Sequence, residues 1–561
     1  MLDQLKAAPF HLSDEDVKWV QKTRDGLNTQ DKIAQIFCAM SLRDDPAAIK
    51  DIVSRKPGAL LRYMGPDLEA AWKATRIAVE SSEIPLLIAG DLEGGAYGQP
   101  YFSPVLNQIG VAACNDSTIS AALADVLARE GRAMGYNWSY TPVVDINAKF
   151  RSAIVGTRSY GSNIETIIGE ATTHIRTLQK NGVAATAKHW PGEGYDDRDQ
   201  HLVTTINPLS YEEWAASYGK VYRSMFQAGV MAVMSAHIAL PSWVRQKFPN
   251  AGVEAFRPAS VSTLLNRDLL RGALGFNGIV VSDATPMAGF TSWADRETMT
   301  PEVIENGCDM FLFGFPDQRD LALLMKGLRE GRLSEARLEE AVTRVLGLKA
   351  ALGLHKKTVD ELLPPLESVR ATLRSSGNLA VTETAAKKAI TIVKDVKSIL
   401  PLRVDKHKRI VVVTEGIKPL MPGGEPRTLN IVIDGLKARG FEVRLYDAAQ
   451  PPPSPADTDL VLYMMAQESM FSLSHIYINW RELHGGLFQA LMRFWCDLPT
   501  VMVSFGQMYY LYDAPRMPAY INAYTALPEV QQALVCKLVG EQSFDGVSPV
   551  DAFCGLEDAR Y

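Results

Sequence analysis

Five ionisable side chains stand where short apolar runs end. Asp91 follows Leu86-Leu-Ile-Ala-Gly90, and Lys188 and His189 close the run that begins at Val183. His237 closes the run from Val230, and Asp283 follows Gly278-Ile-Val-Val-Ser282. Runs of this kind read as strands buried on both faces of a parallel sheet. In a closed barrel of such strands, the reacting groups come from the carboxyl ends of several strands at once. The residue types suit that role. A carboxylate serves as nucleophile or hydroxyl acceptor, an imidazole titrates near neutral pH, and a lysine donates to oxygen. Any one of them also fits a strand-end cap; their recurrence at four strand ends points to one pocket.

The densest polar run starts from one of those ends: Lys188-His-Trp-Pro-Gly-Glu-Gly-Tyr-Asp-Asp-Arg-Asp-Gln-His201. Its glycines and proline make it a loop. A solvated turn would explain such polarity, but this loop leaves a buried strand at the face where chemistry is expected. Asp199 and His201 are two residues apart, so on extended backbone they point the same way. A carboxylate beside an imidazole fixes its tautomer and raises its basicity, which suits a general acid near neutral pH.

The elements that must position these residues follow from periodicity. Eight strand candidates lie at 35–40, 58–62, 85–91, 136–144, 183–189, 230–237, 278–283 and 308–314. Between them are helical patterns, including 118–134, 164–180, 211–227 and 261–274. Eight strand–helix units in a row predict an α/β fold, a (β/α)8 TIM-type barrel over residues 1–355. A chain of 561 residues exceeds what one core normally spans, so a second domain is expected. Residues 356–385, charged and carrying Leu362-Leu-Pro-Pro365, read as a partly helical linker. Residues 386–561 alternate again, with strands at 409–414, 441–446, 459–465 and 500–505 and helices at 428–439, 483–495 and 529–539. This is the pattern of a smaller open α/β sandwich.

Composition narrows the class. The net charge of -6 and pI near 5.9 give no basic stripe for nucleic acid. The longest apolar stretches, such as 229–234, are far too short for a bilayer span, and the first residues lack the pattern of a secretory signal. Six cysteines without a CxxC pair read as buried reduced thiols, and a cytoplasmic location is expected. Nothing in the sequence separates a monomer from a homodimer. Neither Gly94-Gly95 nor Gly423-Gly424 sits in a phosphate-cradling context, so both read as ordinary turns.

The motifs, taken in order, resemble glycoside hydrolase family 3 in its β-N-acetylglucosaminidase branch. Lys188-His-Trp-Pro-Gly192 followed by Asp199-Gln-His201 is similar to that branch's KH(F/W)PG…DxH signature. Gly90-Asp-Leu-Glu-Gly-Gly95, Tyr140-Thr-Pro-Val-Val-Asp145, Gly156-Thr-Arg-Ser-Tyr-Gly161, Met234-Ser-Ala-His237 and the strand ending in Asp283 match in sequence order, and the likeness runs on through 386–402. The resemblance implies a retaining, exo-acting glycosidase on an oligosaccharide or glycoside, with no cofactor and no metal. It assigns the nucleophile to Asp283 and the acid/base to His201 with Asp199 as its partner. Asp91, Arg158, Lys188 and His189 would hold the terminal sugar, with His237 beside them. Three departures bear on the substrate: Ala96-Tyr97 follows the glycine turn where an arginine is usual, Glu193 replaces a His, Asp or Arg, and Ala284 replaces a second Asp. A β-glucosidase or β-xylosidase of the same fold is the nearest alternative. More distant ones are a metal-dependent barrel hydrolase using His189, His201, His237 and Asp283, and a sugar-binding protein without turnover.

Overall fold

The computed structural model describes residues 2–313, 319–414 and 428–561. Eight parallel strands form the first layer: β1 (Phe37–Ser41), β2 (Ala59–Arg62), β3 (Leu87–Gly90), β4 (Trp138–Ser139), β5 (Thr186–Trp190), β6 (Ala232–Ser235), β7 (Ile279–Ser282) and β8 (Phe311–Leu312). Ladders join β8-β1-β2-β3-β4 and β5-β6-β7. Single parallel bridges, Trp138 to Ala184 and Val281 to Met310, close the ring. All eight expected strands are present, and the barrel is a packed core. β2, β3, β5, β6 and β7 are buried at every residue, as expected when helices cover the outside and side chains fill the inside. Of the 308–314 strand candidate, Gly314 lies outside the described residues, as does Gly423-Gly424.

The outer helices start where their sequences say they should. Asn163 accepts from the Thr166 amide to cap Ile164–Lys180, and Asp116 caps Ser117–Ala133. Two expected helices differ. The 211–227 pattern is two helices, Tyr211–Ala216 and Tyr218–Gln227, broken at Ser217, whose φ/ψ of -107°/-91° is not helical. The 261–274 pattern is a π-helix over Leu264–Ala273.

The second sheet has six strands, β9 (Thr391–Asp395), β10 (Arg409–Thr414), β11 (Glu442–Leu445), β12 (Leu460–Met465), β13 (Thr500–Ser504) and β14 (Ala519–Asn522). Their order is β9-β14-β13-β12-β10-β11, all parallel except β9 on β14. The helix expected at 483–495 is instead a short helix, Trp480–Leu483, and two 3-10 turns, Gln489–Leu491 and Phe494–Cys496. Gly485 at φ +76° ends the helix and turns the chain away. Starting in the expected linker and running past its end, Ser376–Ala389 is a full helix that packs on both Pro528–Leu538 and the barrel helix Ser117–Ala133. No helix among the described residues is long and apolar enough to cross a membrane. Cys38, Cys114 and Cys308 are buried thiols, but Cys496 is exposed and Cys536 and Cys554 half-buried, so the expectation of buried cysteines holds for three of six.

The strand that ends in Asp283 is locked to its neighbour by a buried charge. Asp309 accepts from the Val280 amide at 2.9 Å, pairs with Arg271, and accepts from Arg337 at 2.8 Å, with Arg344 close by. Burial opposes its ionisation, but the three guanidinium groups outweigh it and hold the carboxyl below the ordinary range. Asp309→Ala strands these buried cations and should cost about 3–5 kcal/mol, measured by urea unfolding at neutral pH.

Candidate active site

Every expected site residue lies at the carboxyl-end mouth of the barrel or on a loop that covers it. Asp91 leaves β3, Lys188 and His189 lie near the end of β5, His237 leaves β6 and Asp283 leaves β7. Arg158 sits on a 3-10 turn, Gly156–Arg158, beyond β4. Asp199 and His201 lie on the loop beyond β5.

Asp283 is buried. Its Oδ1 accepts from the Ala284 amide at 2.7 Å, while Oδ2 accepts no hydrogen bond. Burial alone would raise its pKa. The charges of His189 and His201 and the Ala284 amide outweigh that and hold it below the ordinary carboxylate range. The Ala284 that stands in the family's second-Asp position therefore supplies backbone to the site. Its amide serves Asp283, and its carbonyl accepts from His237 Nε2 at 3.0 Å.

Each histidine is fixed at Nδ1. His189 Nδ1 meets Asp145 at 2.6 Å, His201 Nδ1 meets Asp199 at 2.6 Å and His237 Nδ1 meets Ser260 Oγ at 2.9 Å. A carbonyl only accepts, so His237 carries its proton on Nε2 and accepts from Ser260. Both its nitrogens are taken up by the protein, and burial pushes its pKa down. Its contacts therefore support the turn behind Asp283. His201 is held through Nδ1 alone and keeps about a quarter of its side chain exposed, 24%. The Ala288 amide donates to the His201 carbonyl at 3.0 Å, which docks the loop against the segment after Asp283.

On the opposite wall four charges interlock. Arg158 grips Glu93 through two bonds, 3.1 and 2.9 Å, and Lys188 reaches Glu93 at 3.0 Å and Asp91 at 2.8 Å. Tyr63 donates to Asp91 at 3.3 Å, and Arg158 lies over the Tyr97 ring at 5.3 Å. Burial opposes the charge on Lys188, but Asp91 and Glu93 more than restore it. The array offers fixed donors and acceptors to vicinal hydroxyls.

Glu93 and Asp145 are site residues that the sequence reading does not single out, although both lie inside the motifs it uses. The signal for Glu93 is its place two residues beyond Asp91, at the same strand end. A second omission is the other domain. Asp199 Oδ2 accepts from the Ser472 amide at 2.9 Å, and the Phe471 ring stacks on His201 at 5.5 Å. Gly94-Gly95 is accordingly more than an ordinary turn. Gly95 has φ +63°, and any Cβ there would strike the carboxylate of Glu468, which the second domain brings up to this turn. The Ala96 amide donates to the same carboxylate at 3.2 Å.

Among the described residues, Asp145, His189 and Glu193 have ligand-type atoms within 4.8 Å of one another. They are already tied together by hydrogen bonds: Asp145 accepts from the His189 and Glu193 amides at 3.2 and 2.8 Å, and Glu193 accepts from Gln200 at 3.1 Å.

The comparisons with known proteins identify the family. The glycosyl hydrolase family 3 N-terminal domain matches residues 29–348. The chain belongs to that family. It is a glycoside hydrolase whose barrel is joined to an α/β sandwich, as in its structural neighbours. It is 37% identical over its whole length, and over the whole of the relative, to a beta-N-acetylglucosaminidase/beta-glucosidase of Cellulomonas fimi. A beta-glucoside phosphorylase bound to 2FGlc superposes with a TM-score of 0.91 at 35% identity, covering 99% of this chain and 100% of that one. A family 3 beta-N-acetylglucosaminidase of Paenibacillus sp. str. FPU-7 shares the fold, with a TM-score of 0.78 at 24% identity over 95% and 100% of the two chains.

Glu193 gives a test of the site's charge state. Burial, then the neighbouring Asp145 and Asp199, push its carboxyl well above the ordinary range. A group raised in the folded state contributes stability that is full below its unfolded pKa and is lost as pH rises toward the folded value. Glu193→Gln keeps the shape without the proton. Its unfolding midpoint relative to wild type should therefore rise as pH climbs from the ordinary carboxylate range, in a series of denaturant titrations.

Proposed function

We propose that this protein is a retaining, exo-acting glycosidase that releases terminal β-N-acetylglucosamine through a glycosyl ester on Asp283, with His201 as acid/base oriented by Asp199. One observation carries the reading: a buried, ionised carboxylate with one oxygen free of hydrogen bonds stands in a site where an imidazole is held at Nδ1 by its own carboxylate. In the first step Asp283 Oδ2 forms the bond to the anomeric carbon while the His201 Nε2 proton passes to the leaving oxygen. In the second, neutral His201 takes the proton of the incoming water as the ester bond breaks. Asp91, Glu93, Arg158, Lys188 and His189 bind the sugar's hydroxyls. The Cellulomonas fimi relative, named for both N-acetylglucosamine and glucose, supports this sugar class and leaves β-glucosides as the other substrate to test.

Phosphate as the second-step acceptor is a further reading, favoured by the phosphorylase neighbour. An imidazole in place of a carboxylate also spares an incoming phosphate the repulsion of a like charge. Aryl β-glycosides of N-acetylglucosamine, glucose, xylose and galactose, assayed with and without phosphate, separate these readings by whether free sugar or sugar 1-phosphate accumulates.

Asp283→Asn should fall below about a hundredth of wild-type turnover with its fold intact, since an amide cannot form the ester. His201→Ala should differ in kind. A nitrophenolate departs without protonation, so the first step survives and the ester accumulates, detectable by mass spectrometry. Azide, which needs no base, should restore turnover. Normal rates for His201→Ala on all substrates would remove the acid/base assignment.

A further inference from the structure

The loop after β12 crosses from the second domain onto the barrel and makes a continuous set of contacts there. Glu468 accepts from Asn107 at 2.8 Å and from the Ala96 amide at 3.2 Å, and bonds Thr525 of its own domain at 2.7 Å. Ser469 and Thr157 exchange two bonds, each amide donating to the other's hydroxyl at 2.8 and 3.0 Å. The Met470 amide donates to the Ala153 carbonyl at 3.0 Å. The next two residues then meet the catalytic loop. The Phe471 ring lies over His201 at an interplanar angle of 29°, and the Ser472 amide donates to Asp199 Oδ2.

Two features show that the barrel is shaped to receive this loop. Cβ atoms at Gly95 and Gly156 would collide with Glu468 and Ser469 respectively, so glycine stands at both landing points. Ser472 holds φ +67°, a backbone conformation that costs a non-glycine residue and aims its amide at the carboxylate.

We propose that residues 468–472 act as a splint from the second domain that sets the Asp199–His201 pair, with Phe471 and Ser472 as positioning residues. The proposal rests on reading His201 as the acid/base. The barrel fixes the loop from 191 to 201 at Gln200, through Glu193 and the His237 amide, and the second domain adds its contacts at Asp199 Oδ2 and the His201 ring. Asp199 Oδ1 already accepts from both the His201 amide, at 2.8 Å, and its ring. The Ser472 amide anchors the other oxygen, so the carboxylate cannot rotate away. Phe471 closes one face of the ring, leaving the Nε2 edge to substrate. The same amide helps keep Asp199 ionised: burial opposes its charge, and the His201 ring with the His201 and Ser472 amides outweighs that.

Phe471 is part-exposed at 37%, so Phe471→Ala should fold normally. The test is kcat/KM on phenyl and p-nitrophenyl β-N-acetylglucosaminide, or on the matching β-glucosides if those are turned over. Phe471→Ala should lose about tenfold on the phenyl glycoside, whose leaving oxygen needs a proton, and less than about twofold on the nitrophenyl one. Phe471→Tyr, keeping the flat ring, should restore the phenyl rate. In a His201→Ala background, Phe471→Ala should cost nothing further on either substrate. Ser472→Pro, which removes the amide and cannot adopt φ +67°, should give the same leaving-group split. No loss, equal loss on both glycosides, or a loss that persists without His201 overturns the splint. Normal rates for His201→Ala itself would instead overturn the acid/base reading beneath it.

Discussion

The proposed chemistry depends on keeping one carboxylate charged, buried and partly bare. A nucleophile that accepted its full complement of hydrogen bonds would be stable but unreactive, and one desolvated without compensation would take up a proton. Asp283 meets both demands. A single amide serves Oδ1, and the field of His189 and His201 helps hold down its pKa while Oδ2 stays free. Those imidazoles work only if their orientation is fixed, and each is fixed at Nδ1 by its own carboxylate, Asp145 or Asp199, while the neutral His237 is held by Ser260 and supports the turn behind Asp283. The partners come from the ends of separate strands and loops. Moving any one of these elements would loosen the charge environment of a residue it never touches.

The same constraint explains the opposite wall. Lys188 and Arg158 are buried cations, and a buried cation without a partner is costly. Glu93 pairs with both and Asp91 with one, so the donors are in place before a sugar arrives. A hydroxyl binding there exchanges bonds within a rigid array, which favours orientation over ground-state affinity.

Much of this is legible in the sequence because a barrel converts linear position into spatial position. A polar residue after an apolar run must sit at one end of the ring, so the sequence alone groups Asp91, Lys188, His189, His237 and Asp283. What is not legible depends on contacts between distant segments. Glu-Ser-Met-Phe-Ser at 468–472 has no periodicity, and its partners Asp199 and Ala96 lie 273 and 372 residues earlier in the chain. Gly95 and Gly156 look like turn formers because their reason, the approach of another domain's side chains, is absent from local sequence. The helix expected at 483–495 is missing for the opposite cause: its apolar spacing is helical, but Gly485 in the left-handed region overrides it. β14 is only four residues long and fully buried, so it offers no alternation to read.

The position of the second domain follows from where the proposed acid/base lies. A group borne on a strand end inherits the rigidity of the barrel, as Asp283 and His189 do. A group on a long loop does not, and ordering each loop residue costs about 1–2 kcal/mol of backbone entropy. The barrel supplies Asp199 and His201 with each other, with the Ala288 contact, and with the buried Gln200 between them, which donates to Glu193 and accepts from the His237 amide. The remaining order comes from outside. The second domain is also anchored on the barrel through Ser162 to the Pro549 carbonyl and by the shared helix Ser376–Ala389, and Asn107 ties Glu468 of the loop to the Tyr524 carbonyl. Those anchors give the 468–472 loop a fixed base beside the Asp199–His201 pair. Under the proposed splint, a domain that bears neither the proposed nucleophile nor the proposed acid/base joins the site through one ring and one amide.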